Sequence, residues 1–296
     1  MPIIDAHIHL YPDEVNRDPA VWAAACGETH WATLCTRQRK SGQSVQAFPL
    51  VDKLLGDMDA AGVSRAVLLG WYWERPETCR MQNEFYAQCI RAHPDRLSAF
   101  AAIHTGVGVD AALGELRIAR DSGLIGVGEL SPHSQGIPMD DPVLRAVFTR
   151  AGEWKMPVNL HVTEPASRDY PGKVDTLLED FIRIAETHPE TTFILAHWGG
   201  RLPLVTNEPI PKNIYYDTAA SPLLYPETIW SEFFAKVSSD RVLYGSDYPL
   251  NLYPTIDAEP NMTRLISEAH RSGLSASRLK AVVDDNAKRL FKFPDR

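Results

Sequence analysis

The chain has 296 residues, a formal net charge of -8, 44% hydrophobic and 23% charged residues, the balance of an ordinary globular protein. The acidic balance argues against a nucleic-acid or anionic-membrane surface, since both reward clustered Lys and Arg. No apolar run approaches the ~20 residues that span a bilayer, and the length suits one α/β barrel as well as two domains.

Met1 to Leu10 has no Lys or Arg and already carries an acid and two histidines, so it does not read as a signal peptide. Ile3–Ile8 is the first apolar strand. Tyr11–Pro49 follows and is far longer than a normal strand-to-helix loop. It carries Trp22, Trp31 and Phe48 and reads as a lid over a barrel mouth. Its basic stretch Arg37–Lys40 reads as a solvated loop. Helical spacing over Leu50–Ala61 stops at Gly62. A strand at Arg65–Leu69 precedes a helix at Glu77–His93. Leu97–Ile103 is the third strand and Val109–Ser122 the next helix. Ile125–Leu130 is the fourth strand, and Asp140 is placed to cap a helix running to Trp154.

The alternation continues with a strand at Pro157–His161, a helix at Val174–Thr187 and a strand at Thr192–Ala196. Pro203, Pro209 and Pro211 leave little room for a helix between Gly199 and Lys212. Asn213–Asp217 is a strand, Pro226–Val237 a helix and Arg241–Gly245 the eighth strand. An extension at Asn251–Pro260 precedes closing helices at Asn261–Ser272 and Ala276–Phe291. Eight strands alternating with helices predict a parallel sheet with right-handed crossovers. Its economical form is a closed (β/α)8 TIM barrel, one domain over 1–296 with the 11–49 insertion inside it. An open doubly wound sheet is less consistent, because no G-x-G-x-x-G follows the first strand.

His7 and His9 are two apart at the end of the first strand, so both side chains lie on one face and can grip one cation. His161 ends the fifth strand, His197 the sixth, and Asp247 follows the eighth. Each alone would be unremarkable. Together they occupy C-terminal strand ends, the barrel face where catalytic groups converge, and the donor types suit zinc or a similar divalent ion.

Ile4-Asp5-Ala6-His7-Ile8-His9, Asn83 with His93-Pro94-Asp95-Arg96, Leu160-His161, Ala196-His197-Trp198-Gly199-Gly200, Gly245-Ser246-Asp247-Tyr248-Pro249 and Asp285–Phe291 occur in order along the chain. In these the sequence resembles the amidohydrolase superfamily, in the branch that holds aminocarboxymuconate-semialdehyde decarboxylase and several lactonases. The resemblance implies that His7, His9 and His161 bind one divalent metal ion, zinc first and manganese or another ion next. Asp247 would be a ligand or take the proton of the reactive water, and His197 would polarise that water or the substrate carbonyl. Either Asp247 or His197 is then the base.

Glu129 ends the fourth strand, where many relatives carry a bridging carboxylate. It reads as a carboxylate orienting a ligand histidine or as a ligand itself. Trp71 and Trp73 lie in an aromatic loop after the second strand and suit an organic ligand. Arg75, Arg80, Arg168 and Arg201 are candidates for a substrate carboxylate. His104 and His133 stand near the mouth, and Thr218–Ser221 offers hydroxyls. His30, His93, His188 and His270 read as structural or solvated. Cys26, Cys35, Cys79 and Cys89 form no C-x-x-C pair and read as free thiols of a cytoplasmic protein. The expected activity is hydrolysis of a small ester, lactone or amide by metal-activated water. The alternatives are nonoxidative decarboxylation of an aromatic or unsaturated acid and a non-catalytic ligand-binding barrel. The partner is a small-molecule substrate, without nucleic acid or membrane, and a homo-oligomer stays open.

Overall fold

The computed structural model describes residues 1–40, 42–253, 255–256 and 259–294. Strand β1 is Ile3–Ile8, followed by α1 (Asp13–Arg17), α2 (Pro19–Cys26), α3 (Thr29–Cys35) and α4 (Val51–Ala61). The alternation runs on through β2 (Val63–Leu68), α5 (Pro76–Ala92), β3 (Leu97–Ala101), α6 (Val109–Asp121), β4 (Gly126–Leu130), α7 (Pro142–Trp154), β5 (Val158–Leu160), α8 (Leu178–Thr187) and β6 (Phe193–Leu195). It ends with α9 (Leu202–Val205), β7 (Ile214–Asp217), α10 (Ser221–Leu224), α11 (Thr228–Phe234), β8 (Val242–Leu243), α12 (Met262–Arg271), α13 (Ala276–Lys280) and α14 (Asn286–Phe291).

The parallel sheet has the order β1-β2-β3-β4-β5-β6-β7-β8. Backbone bonds close it between β1 and the segment just after β8: Ala6 N to Tyr244 O at 2.8 Å and Asp247 N to His7 O at 2.9 Å. This is a (β/α)8 TIM barrel. All six residues of β1 are buried, because barrel strands face side chains inside and helices outside. Gly128 in β4 has a φ of +119°, and a Cβ there would stand 2.3 Å from the Asn159 carbonyl oxygen. Only glycine lets β4 press this closely on β5 and carry the next residue, Glu129, into the barrel mouth.

Several boundaries differ from the sequence expectation for local reasons. Asp141, not Asp140, caps α7, accepting from Val143 N and Leu144 N, because Pro142 takes the first helical position. Helix α8 starts at Leu178 rather than Val174. The preceding residues serve the mouth instead: Val174 lines the cavity and Thr176 Oγ1 donates to Thr163 O. The last helix is broken by a π turn at Ala281–Asp285, where the Val282 carbonyl accepts from Tyr244 N of the last strand. Within the Asn251–Pro260 extension, Leu252–Tyr253 and Thr255–Ile256 pair antiparallel; Pro254, Asp257 and Ala258 lie outside the described residues.

The 11–49 insertion folds around Tyr11, Trp31 and Trp73, packed edge-to-face with Trp22. It is bound to the loop after β8 by Ala47 N to Pro249 O at 3.0 Å and Asn251 N to Val45 O at 2.9 Å. It is bound to the loop after β5 by His30 Nε2, which donates to Gly172 O at 2.9 Å. The insertion therefore roofs one side of the mouth. The four cysteines are free thiols, and among the described residues no helix is long and apolar enough to cross a membrane.

Candidate metal centre and active site

His7 and His9 project from the same face of β1, as their spacing predicts, with Nε2 atoms 3.2 Å apart. Asp247 Oδ1 lies 3.7 Å from His7 Nε2 and 3.6 Å from His9 Nε2. Glu129 Oε2 completes this group at 3.9 and 3.6 Å from the same two nitrogens. Its other oxygen, Oε1, faces His161 Nδ1 at 2.9 Å and His197 Nε2 at 3.5 Å, and those two nitrogens are 3.3 Å apart. Glu129 thus stands between two donor groups, one of His7, His9 and Asp247, the other of His161 and His197. The expected arrangement put His161 beside His7 and His9, with His197 farther out. His161 and His197 stand side by side, as expected from neighbouring strands β5 and β6, and both face Glu129 Oε1, while Oε2 faces His7 and His9.

Backbone and carboxylate acceptors orient the imidazoles. His7 Nδ1 donates to Asp217 Oδ2 at 2.9 Å, His9 Nδ1 to Leu69 O at 3.2 Å and His197 Nδ1 to Ala219 O at 3.2 Å. A carbonyl only accepts, so Nδ1 carries the proton in His9 and His197 and each Nε2 lone pair points inward. Asp5, the first residue of the motif, serves the backbone: its Oδ1 accepts from His7 N and from Ser246 N.

The charges point the same way. Burial alone would lower the basicity of His7, but Asp217, Glu129 and Asp247 outweigh it and push its pKa up to about 10. His9 goes down, through burial and the neighbouring His7. Glu129 stays ionised well below the usual carboxylate range, since His161, His197 and His7 outweigh its burial. A proton on His7 therefore stands between anionic groups where a cation is called for. Ligands about 2.0–2.1 Å from a tetrahedral ion lie roughly 3.4 Å apart, close to the 3.2–3.9 Å spread among His7, His9, Asp247 and Glu129. The residues fit a divalent ion in number, chemistry and spacing.

Above the donors is a cavity of about 710 Å³. Trp71 lines it, stacked on Tyr72 at 4.4 Å and edge-on to His9 at 5.2 Å. The other expected substrate contacts are placed differently. Trp73 is fully buried in the insertion core and donates to Gln82. Arg75 packs against Gly27. His104 Nε2 donates to Glu74 O and its Nδ1 accepts from Gly106 N. His133 pairs with Asp180 at 3.2 Å and Arg201 with Glu164 at 2.6 Å. None of these five lines the cavity. The loops carrying them lie at the mouth, but each side chain is taken up by a neighbour.

Sequence reasoning missed Arg37 and Arg39. The stretch is solvated as expected at Gln38, Arg39 and Lys40, while Arg37 is half-buried, and Arg37 and Arg39 line the cavity together with Arg168 of the β5 loop; nothing local signalled the cavity, because the insertion's fold decides where the stretch points. Asp217 was also missed, although it ends β7 on the catalytic face and the strand-end rule applied to the other ligands would have found it. Cys35 lines the cavity with its thiol pushed up by burial, which leaves it a poor nucleophile.

A family model described as Amidohydrolase matches residues 4–293. No curated protein matches the chain. Among solved structures the chain is similar to a dihydroxybenzoic acid decarboxylase from a Polaromonas species with bound manganese and the inhibitor 2-nitroresorcinol. Identity is 19%, coverage 100% of this chain and 98% of that one, and the TM-score 0.73. It is similar to 5-carboxyvanillate decarboxylase from Novosphingobium aromaticivorans complexed with manganese and 4-hydroxy-3-methoxy-5-nitrobenzoic acid, at 16% identity, 99% and 96% coverage and a TM-score of 0.74. It is also similar to 2,6-dihydroxybenzoate decarboxylase from Rhizobium, at 19% identity, 99% coverage of both chains and a TM-score of 0.69. At these identities the likeness establishes a shared fold.

Proposed function

The chain belongs to the amidohydrolase family, and from that premise and its cavity we propose that it is a metal-dependent carboxy-lyase releasing CO2 from an aromatic or unsaturated carboxylic acid. The observation that carries this reading is a cavity lined by the metal donors His9, Glu129, His161, His197 and Asp247 and by half-buried Arg37, with the exposed Arg39 and Arg168 also lining it. The Arg37 guanidinium lies 5.1 Å over the Tyr170 ring, and its Nε is buried without a hydrogen-bond partner among the described residues. A guanidinium at a cavity wall matches an anionic ligand, which its planar fork can pair with. The structural neighbours named for decarboxylases of aromatic acids support the same reading.

Decarboxylation breaks the bond between the carboxyl carbon and its neighbouring carbon. The electron pair stays on that carbon, which takes a proton, and CO2 leaves. His7, His9, Asp247 and Glu129 would hold a divalent ion, which when bound would supply Lewis-acid charge for the carboxylate. His161 and His197 belong to the same centre through Glu129. In this reading Asp247 and His197 hold the proton that the carbon takes, His197 through Nε2, since its Nδ1 is bonded to the Ala219 carbonyl. The stacked Trp71 and Tyr72 give a flat wall for a planar substrate.

Hydrolysis of an ester, lactone or amide is expected from the sequence because no arginine stands out there and because hydrolysis is the commoner activity of the resembled superfamily; Arg37 lining the cavity weakens the first ground. Zinc and manganese both suit the mixed imidazole and carboxylate donors, and the free thiols accord with a cytoplasmic location. The test is to incubate protein loaded with Mn2+ or Zn2+ with 2,6-dihydroxybenzoate, 5-carboxyvanillate and a panel of aryl esters and lactones. CO2 release from an acid is expected; cleavage confined to esters or lactones would refute the carboxy-lyase reading.

A further inference from the structure

The segment that carries His197 leaves β6 in a left-handed path. His197, Trp198, Gly199, Gly200 and Arg201 have φ of 58, 57, 57, 57 and 62° in succession. Glycine adopts this region freely, but His197, Trp198 and Arg201 do so only where their surroundings hold them. At its first residue, His197 N donates to Asp217 Oδ1 at 3.1 Å. At its last, Arg201 forks onto Glu164, with Nη2 to Oε1 at 2.6 Å and Nε to Oε2 at 3.2 Å. Tyr225 Oη donates to the same Glu164 Oε2 at 2.5 Å and has the His197 carbonyl oxygen 3.3 Å away.

Glu164 is only 5% exposed and its Oε1 also accepts from Ala166 N. It takes hold of the turn directly at Arg201, and it fixes Tyr225, whose hydroxyl oxygen packs 3.3 Å from the His197 carbonyl oxygen, by accepting that hydroxyl's one proton. A carboxylate with this many partners has little capacity left to bind substrate, although it lines the cavity. Two of its bonds go to Arg201 at the end of the left-handed segment and a third fixes Tyr225 beside the His197 carbonyl, and that segment sets where the His197 imidazole stands relative to Glu129.

We propose that Glu164 is a positioning residue for His197, acting through Arg201 and Tyr225 to hold the left-handed turn against the metal centre. The inference rests on the reading that His197 belongs to that centre. Arg201, a candidate for a substrate carboxylate from the sequence, becomes a clamp in this account. Glu164→Gln keeps the shape and removes the charge that Arg201 pairs with. Tyr225→Phe keeps the ring and removes only the hydroxyl, so it is the milder variant for folding.

The test uses Co2+-loaded full-length protein, with His197→Ala as reference, and reads visible absorption, Co2+ affinity and circular dichroism. His197→Ala is expected to alter the Co2+ spectrum and weaken Co2+ binding by about tenfold or more. Glu164→Gln and Tyr225→Phe are expected to move the spectrum in the same direction and weaken binding by roughly tenfold, the low end of what groups behind a ligand contribute, with circular dichroism unchanged. A wild-type spectrum and affinity in both variants, beside an altered His197→Ala, would overturn the positioning role and leave the metal-centre reading intact. A wild-type spectrum in His197→Ala would remove His197 from the centre, and this inference with it.

Discussion

His7 and Asp217 meet through a 2.9 Å hydrogen bond between two fully buried side chains, 210 residues apart in the chain. Asp217 Oδ2 also accepts from Asn159 Nδ2, and Oδ1 from His197 N and Ala219 N. One carboxylate therefore orients a histidine of the first donor group and the backbone of a histidine of the second. Asp217→Asn should weaken binding of the divalent ion by about 10–100-fold while the barrel stays folded. Competition against a chelator of known affinity measures it, and an unchanged affinity would show that His7 needs no such partner.

Metal binding should depend steeply on pH. His7, raised from 6.5 to about 10 in the metal-free protein, holds a proton at neutral pH that the ion must displace. Affinity should therefore climb as pH rises from 7 toward 10, by up to about tenfold per unit for one displaced proton. The stability of the metal-free protein runs the other way. A raised histidine pKa contributes stability that is fully present below 6.5 and lost as pH rises through about 10. Thermal unfolding of the chelated protein across that range, with proton release recorded on adding Zn2+, checks both signs.

Removal of the ion should abolish turnover without unfolding the barrel, whose core clusters lie around and beneath the site. His7→Ala and His9→Ala should each lose most of the metal, read by elemental analysis after gel filtration. Retention of full activity by a chelated sample would rule out a metal-dependent reaction.

Arg37→Ala should raise KM for a carboxylate substrate by about tenfold or more, the factor carried by a charged hydrogen bond worth roughly 1.5–3 kcal/mol, with little change in kcat. Arg37→Lys should recover only part, since an ammonium lacks the planar fork. Equal KM values for the acid in wild type and Arg37→Ala would remove this residue from substrate recognition.

Trp31 is 1% exposed at the centre of the insertion's aromatic core. Trp31→Ala should destabilise the protein by about 3–5 kcal/mol if the insertion unfolds together with the barrel. Chemical denaturation followed by circular dichroism and by tryptophan fluorescence separates that case from local loosening, in which fluorescence alone would move.

The alternation of strands and helices, the inward face shared by His7 and His9, and the strand-end positions of His161, His197 and Asp247 were legible in the sequence. Each depends on local periodicity and on the rule that barrel strands end at one face. The grouping of those donors was not legible. Which side chains meet depends on the angle at which β4, β5 and β6 converge, and that angle places Glu129 between the two sets. The wall of the cavity was hidden for a second reason. Arg37 and Arg39 sit in an insertion whose direction is decided by packing of Tyr11, Trp31 and Trp73 and by backbone bonds to the loop after β8. A loop's sequence reveals its charge, but only contacts made far along the chain decide whether that charge faces solvent or the site.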